Sequence, residues 1–226
     1  VQALDCGLDF YAPQTLEAPD GRRIMIAWMQ NWDTVGGKPS HCRWFGQMTL
    51  PRELSIEDGR LYQRPVRELE AYRRDPVVHR QILVSGEANL PGVQGRMLDM
   101  TVTVRPVGHG SYRWFRLHLA KDGQPDTILR YKPEEGILKL DRCRSGLPRD
   151  IVHTRSFLVK PRDGEIRLRV ILDRFSVEVF VNDGEAAASA VIYTRQEADA
   201  ITFEADGQVL IDVEKYDLNF DSGREG

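Results

Sequence analysis

The stretch of sequence that decides the fold reads DCGLDFYAPQ over residues 5–14 and RRIMIAWMQNW over residues 22–32. Both segments are rich in aromatic and apolar residues, and Asp20-Gly21 between them is typical of a hairpin because both residues tolerate positive φ. The stretch therefore predicts two strands joined by a turn. It also carries two carboxylates, Asp5 and Asp9, together with a tyrosine and two tryptophans, so we expect a functional site here.

Asp-Gly turns divide the rest of the chain in the same way. Asp58-Gly59 predicts a hairpin over residues 54–62, and Asn182-Asp183-Gly184 predicts one between strands over residues 175–181 and 187–193. In the predicted strand over residues 175–181, four apolar residues occupy alternate positions and therefore lie on one face. This pattern predicts that one face of the strand points into the core and the other points away from it. Further strands are predicted over residues 98–104, 112–119, 128–131, 166–172 and 209–218.

Helical patterns are scarce, and the clearest is a short turn over residues 65–72 that starts with a proline. The composition changes near residues 70–78, where aromatic-rich strands with long loops give way to regularly alternating strands. We therefore predict an all-β protein with two domains, residues 1–72 and residues 73–226. The second, with about ten short strands, suits a two-sheet sandwich.

The composition excludes several classes of partner. The chain has 226 residues and a net charge of −3, from 31 Lys and Arg against 34 Asp and Glu, without a basic block. Nucleic acid and anionic membranes are therefore not expected as partners, and no apolar run approaches the length of about 18 residues that a membrane span needs. Cys6, Cys42 and Cys143 lack metal or disulfide spacing, which favours reduced thiols and a cytoplasmic location. Val1 leads directly into strand-like sequence, so we expect a fragment of a longer protein.

Asp5 and Asp9 are candidates for catalysis because paired carboxylates hydrolyse glycosides. On an extended strand they would lie about 13 Å apart, at about 3.3 Å per residue. A retaining pair needs about 5–5.5 Å and an inverting pair about 6.5–9.5 Å, so these two alone do not form an acid and nucleophile pair. The alternative interpretation places Asp5 in a turn before Gly7 and Asp9 on a solvated strand.

The aromatic residues Tyr11, Trp28, Trp32 and Trp44 are candidates for a platform on which a sugar ring stacks. Core packing is the alternative for each of them. Arg52 and its neighbour Glu53 are interpreted as a structural ion pair, and the scattered histidines, which lack metal-ligand spacing, are assigned no role.

Residues 5–32 resemble the fourth-blade region of glycoside hydrolase family 32, which comprises invertases, sucrose-6-phosphate hydrolases, levanases and inulinases. Further blocks follow in the order of the family: WFGQMTLPREL at 44–54, LYQRPVREL at 61–69, LDR at 140–142 and LDRFSVEVFVNDG at 172–184. The resemblance implies the last part of a five-bladed β-propeller over residues 1–72 and a C-terminal β-sandwich over residues 73–226. It implies no metal and no organic cofactor.

The resemblance also implies that the nucleophile and the acid/base residue lie upstream of Val1, so that this chain contributes no catalytic residue. The family's transition-state-stabilising aspartate belongs to an Arg-Asp-Pro motif. Arg74-Asp75-Pro76 has the sequence of that motif, but it lies at the domain junction. We therefore interpret it as a linker.

Five residues carry supporting roles under this resemblance. Asp5 matches an aspartate that hydrogen-bonds near the acid/base glutamate and tunes its pKa, and Trp28 matches a tryptophan that lines the fructose subsite. Asp9, Phe10 and Tyr11 accompany them as neighbours in the motif.

Three hypotheses remain open from the sequence. The first is the C-terminal half of a β-fructosidase that binds a fructose-containing saccharide and hydrolyses it with retention, inactive as this chain alone. The second is a sandwich module that binds glycan, stabilises the propeller or mediates dimerisation. The third is a product of a split gene that assembles with a separate N-terminal chain. An open propeller remnant exposes unpaired strand edges. We therefore expect this chain to form a dimer, to bind a partner chain or to rearrange its strands.

Overall fold

The computed structural model describes residues 2–33, 46–124, 126–147 and 151–220, and these residues form an all-β structure. Two sheets contain fourteen strands between them, and two short 3₁₀ helices cover Arg67–Tyr72 and Asn182–Gly184. Among the helices of the described residues, none has the length and apolar character required to span a membrane. The strands are β1 (Tyr11–Glu17), β2 (Arg23–Trp28), β3 (Arg52–Glu57), β4 (Arg60–Pro65), β5 (Arg73–Ala88), β6 (Leu98–Pro106), β7 (Tyr112–Lys121), β8 (Thr127–Lys132), β9 (Ile137–Asp141), β10 (Thr154–Leu158), β11 (Ile166–Asp173), β12 (Ser176–Val181), β13 (Ala186–Val191) and β14 (Ala200–Leu218).

The first sheet is a four-stranded antiparallel sheet in the order β1-β2-β3-β4. The predicted hairpins across Asp20-Gly21 and Asp58-Gly59 are confirmed, and Gly21 and Gly59 both have the positive φ that such turns require. Strand β1 forms one edge of the sheet and is largely exposed. The predicted helical turn after β4 is also confirmed, as a 3₁₀ helix that buries Leu69.

The second sheet has ten strands and curls about the long strand β14. The first part of β14 pairs with β7, which leads to β8, β9 and β10; its second part pairs with β6, which leads to β11, β12 and β13. The change of partner falls at Gly207, whose φ of +109° permits the bend. Apolar side chains from both arms of the sheet pack into one core.

Strand β12 is buried on both faces, which its alternating sequence did not predict. Val177, Val179 and Val181 pack into the core, and Glu178 and Phe180 on the opposite face are also buried. The opposite face is covered because the four-stranded sheet packs against it, with a hydrogen bond from the backbone of Leu50 to Glu178. Buried positions on this face therefore mark the contact between the two sheets.

The interpretation of Arg74-Asp75-Pro76 as a linker is wrong. These residues lie in β5, where Arg74 pairs with Asp217 of β14. The pairing shifts register here and Asp75 has a φ of +50°, so the strand accommodates the proline at an irregularity of its edge.

Candidate functional site

The segment over residues 5–10 lies between the two sheets and runs along β13 without forming a regular strand. The backbone N–H of Cys6 donates to Ala187 at 2.8 Å, and that of Leu8 donates to Ser189 at 2.8 Å. A Cβ atom at Gly7 would lie 2.2 Å from the backbone nitrogen of Ser189, so this close approach requires glycine. The strand begins only at Tyr11, which sets residues 5–10 apart from the sheet that follows.

Asp5 is buried at this contact, with 1% of its side chain exposed. Its Oδ1 accepts hydrogen bonds from the backbone of Gly7 at 2.7 Å and of Ser189 at 3.0 Å. Its Oδ2 accepts from Arg52 at 3.0 Å and from the Ser189 hydroxyl at 2.8 Å. The bond to Gly7 confirms the predicted turn. Because both oxygens already accept two hydrogen bonds from this chain, the contacts of Asp5 hold the segment in place.

Arg52 connects this segment to the second sheet. Its side chain has no exposed surface, and it donates to Asp5 and, at 2.7 Å, to Oε2 of Glu178. Burial raises the pKa of Glu178, and the charge of Arg52 opposes that shift. The interpretation of Arg52 and Glu53 as a pair is wrong, because consecutive residues of β3 point to opposite faces and Glu53 instead pairs with Arg22 and Arg67.

Asp9 forms a second buried ion pair, so its interpretation as a solvated strand residue is wrong. The side chains of Asp9 and Arg142 are both fully buried, and Arg142 donates to Oδ2 of Asp9. The backbone of Val191 donates to the same oxygen at 2.7 Å, and Asn31 donates to Oδ1 at 2.6 Å. Burial raises the pKa of Asp9, and Arg142 opposes the shift.

Phe10 contributes to the same contact through its ring. The guanidinium carbon of Arg52 lies 5.1 Å from the centre of the Phe10 ring and 5.2 Å from that of Phe180. The two aromatic faces therefore stabilise the buried guanidinium in addition to the carboxylates. Phe10 belongs to the packing between the sheets.

Tyr11, Trp28 and Trp32 form a cluster at the end of the β1–β2 hairpin. Their ring centres lie 6.2, 5.5 and 6.1 Å apart for the pairs Tyr11–Trp28, Tyr11–Trp32 and Trp28–Trp32, all edge to face. Tyr11 is 45% and Trp32 68% exposed, while Trp28 is half-buried beside Gly46. The rings therefore form an exposed aromatic wall, and the fourth candidate ring, Trp44, lies outside the described residues.

The five predicted site residues thus separate into two groups. Tyr11 and Trp28 belong to the aromatic wall, whereas Asp5, Asp9 and Phe10 lie beneath it in the contact between the sheets. Asn31 connects the groups, since it bonds to Asp9 and to the backbone of Leu8 and directly precedes Trp32.

Sequence reasoning missed the partners of this segment, which are Arg52, Arg142, Ser189 and Asn31. These partners lie 22 to 184 positions away along the chain from the residue that they bind. No local pattern marks contacts at such separations. The block LDR at residues 140–142, which contains Arg142, was the one available signal.

Comparison with known proteins places both parts of the chain in one family. The family "Glycosyl hydrolases family 32 N-terminal domain" matches residues 1–65, and "Glycosyl hydrolases family 32 C terminal" matches residues 68–219. A raffinose invertase from Escherichia coli is 38% identical over 93% of this chain, which corresponds to 42% of that protein. A sucrose-6-phosphate hydrolase from Staphylococcus xylosus is 33% identical over 97% of this chain and 44% of that protein.

The fold agrees with solved structures of the same kind. The crystal structure of an exo-inulinase from Aspergillus awamori superposes on 95% of this chain and 44% of its own length, with a TM-score of 0.82 and 20% identity. The chain therefore combines a sheet of the family's propeller with its β-sandwich, and it spans less than half the length of the relatives that it matches. The chain belongs to glycosyl hydrolase family 32.

Proposed function

We propose that this chain is the C-terminal portion of a retaining β-fructosidase that cleaves terminal β-fructofuranosyl bonds in sucrose, sucrose 6-phosphate or a fructan. The observation that supports this proposal is the match to an invertase and to a sucrose-6-phosphate hydrolase over more than nine-tenths of the chain. In the whole protein, the chain supplies the aromatic wall formed by Tyr11, Trp28 and Trp32.

The aromatic wall is suited to a saccharide. Its rings expose apolar faces, and apolar faces of sugar rings stack on aromatic side chains. Trp28, which the family resemblance relates to the fructose subsite, is the least exposed of the three rings and also lies beside Gly46.

We further propose that the chain alone does not hydrolyse fructosides. The two carboxylates of the segment beneath the wall, Asp5 and Asp9, are bound to separate buried arginines, Arg52 and Arg142. A general acid and a nucleophile must both reach the substrate, and neither of these side chains is exposed. The catalytic pair is therefore expected in the upstream sequence.

The test is an assay of fructose release by the purified 226-residue chain and by the protein extended at its N-terminus with the rest of the propeller. We expect release by the extended protein and none above background by the chain alone. In the extended protein, Trp28→Ala should raise KM for sucrose by about fivefold or more, because a stacked aromatic ring contributes on the order of 1 kcal/mol or more to binding. Release by the chain alone at the rate of the extended protein would refute the proposal.

A second candidate function is saccharide binding without catalysis, which the exposure of Tyr11 and Trp32 favours. Calorimetry of the chain with a short fructan distinguishes it from a purely supporting role. The chain would be established as a binding module by two results together. The chain should bind the fructan and lose this binding in Trp32→Ala, and the extended protein should release no fructose.

A further inference from the structure

A polar cavity lies on the sandwich sheet, on strands that do not contribute to the aromatic wall. Its volume is about 360 Å³, and it opens on the face of β7, β8 and β9 that points away from the core. The charged side chains of the lining and its histidine are Arg116, His118, Asp126, Arg130, Lys139, Asp141 and Arg144.

Three positively charged side chains lie in one row across these strands. Arg116 of β7 is directly opposite Arg130 of β8, and Arg130 is directly opposite Lys139 of β9. Like charges directly opposite each other on neighbouring strands destabilise a sheet. The row therefore creates a concentrated positive potential that a bound anion would relieve.

The two outer members of the row are paired within the protein, and the central one is not. Arg116 donates to Glu204 at 3.1 Å and lies over the ring of Trp114, and Lys139 donates to Asp141 at 2.9 Å. For Arg130, no carboxylate or hydrogen-bond acceptor lies in contact among residues 2–33, 46–124, 126–147 and 151–220. Arg130 itself is half-buried and lines the cavity.

The remaining groups do not neutralise Arg130. Arg144 reaches the cavity from the turn after β9 and bonds at 3.0 Å to the neutral Gln124. Asp126 is held by His118 at 2.8 Å, and the other ring nitrogen of His118 lies 3.3 Å from Glu204. The lining thus contains four Arg or Lys side chains against two carboxylates, Asp126 and Asp141.

We propose that this cavity binds the phosphate group of a small phosphate monoester between Arg116, Arg130 and Lys139. Guanidinium groups bind phosphate through paired, charge-assisted hydrogen bonds, and the cationic row attracts its negative charge. The carboxylates Asp126 and Asp141 in the lining repel an extended polyanion, but they can accept hydrogen bonds from the hydroxyl groups of a compact ligand. This inference is independent of the proposed hydrolytic function, since the cavity lies on other strands.

The test is calorimetric titration of the chain with inorganic phosphate, with glucose 6-phosphate and with glucose. We expect both phosphates to bind and glucose not to bind. Tighter binding of glucose 6-phosphate than of inorganic phosphate supports a hydroxylated monoester as the ligand, and equal or tighter binding of inorganic phosphate overturns the monoester in favour of the free ion. Arg130→Gln should weaken binding by about tenfold or more, because it removes a charge-assisted pair of hydrogen bonds.

Arg113→Gln is the matched control, because Arg113 lies on the same strand, β7, outside the cavity and pairs with Asp206. We expect this variant to bind phosphate as the unchanged chain does. The proposal is overturned if neither phosphate binds, or if Arg130→Gln binds as tightly as the unchanged chain.

Thermal unfolding provides a second readout. Without ligand, Arg130→Gln should unfold at the same or a higher temperature, because it removes repulsion with Arg116 and Lys139. Added phosphate should raise the unfolding temperature of the unchanged chain and not that of the variant. A lower unfolding temperature of the variant without ligand would instead assign Arg130 a structural role and overturn the proposal.

Discussion

Arg52 and Glu178 form an ion pair across the contact between the two sheets, with 2.7 Å between Nη2 and Oε2. Arg52 lies on β3 of the smaller sheet and Glu178 on β12 of the larger one, and their side chains are 0% and 3% exposed. Because Arg52 also binds Asp5, this pair joins the segment beneath the aromatic wall to the sandwich. The sandwich therefore helps to position the wall.

Glu178→Gln is expected to destabilise the chain by about 3–5 kcal/mol, the usual cost of removing one partner of a buried ion pair. Both oxygens of Glu178 accept hydrogen bonds, from the backbone of Leu50 and from Arg52. A glutamine would turn its NH₂ group toward one of these donors and would leave Arg52 with less counter-charge. Urea unfolding of the chain at neutral pH measures the change.

Glu57→Gln is the control for this measurement. Glu57 also pairs with an arginine, Arg64, but both side chains are well exposed, at 46% and 38%. Exposed pairs contribute little because solvent screens them. Equal destabilisation by the two substitutions would show that the buried pair does not hold the sheets together.

Gly7→Ala should destabilise the chain by about 3 kcal/mol or more, because the new Cβ would lie 2.2 Å from the backbone of Ser189 and two backbone segments would have to separate. Gly21→Ala is a useful comparison, since nothing lies near its Cβ and only its φ of +84° opposes the change. That variant should lose about 1–2 kcal/mol. A Gly7→Ala chain that unfolds at the same urea concentration as the unchanged chain would contradict the close packing of residues 5–10 on β13.

Glu53→Gln should reduce stability at neutral pH and have no effect in strong acid. Hydrogen bonds from Arg67 and Arg22 lower the pKa of Glu53 from 4.5 to about 2. Since the folded pKa lies below the unfolded one, the stabilisation is complete above pH 4.5 and is lost as the pH falls toward 2. The full shift corresponds to about 3 kcal/mol, and screening near the exposed Arg67 reduces the expected contribution to about 1–2 kcal/mol.

This prediction is tested by measuring the free energy of unfolding of the unchanged chain and of Glu53→Gln from pH 7 down to the lowest pH at which both still fold. The difference between them should shrink steadily below the unfolded pKa of Glu53. A difference that is constant with pH would mean that the charge of Glu53 does not stabilise the fold.

Local sequence patterns predicted the hairpins well because turn chemistry acts over a few residues. Asp20-Gly21 and Asp58-Gly59 fix turns that need positive φ, and both occur where expected. The extended strand β5 was missed because its first residues include Pro76, which normally interrupts a strand. Its pairing with β14, through residues more than a hundred positions away, overrides that local signal.

The candidate site was predicted less completely, for the same physical reason. The aromatic residues Tyr11 and Trp28 are cross-strand partners of one hairpin, so their proximity follows from local structure. The environments of Asp5 and Asp9 depend on Arg52, Arg142 and β13, which the tertiary fold brings together. Spacing argued against Asp5 and Asp9 as a catalytic pair on their own, but it could not show that both are buried.

Asp9→Asn should loosen the aromatic wall as well as destabilise the chain. Every partner of the Asp9 carboxylate is a donor, namely Asn31 on Oδ1 and Arg142 and the backbone of Val191 on Oδ2. An asparagine would place its NH₂ group against a donor in either orientation and would leave Arg142 buried without a counter-charge. We expect a loss of about 3–5 kcal/mol in unfolding free energy, as for other broken buried pairs.

The aromatic readout of Asp9→Asn is near-ultraviolet circular dichroism, measured under conditions where the variant stays folded. Because Asn31 ties Asp9 to the segment that carries Trp32, the aromatic signal of the wall should weaken. Asp20→Asn is the control, since Asp20 lies in the hairpin turn of the same sheet, half-exposed, where asparagine is also favoured. An Asp9→Asn variant that keeps the full aromatic signal would show that the buried ion pair holds the sheets together without positioning the wall.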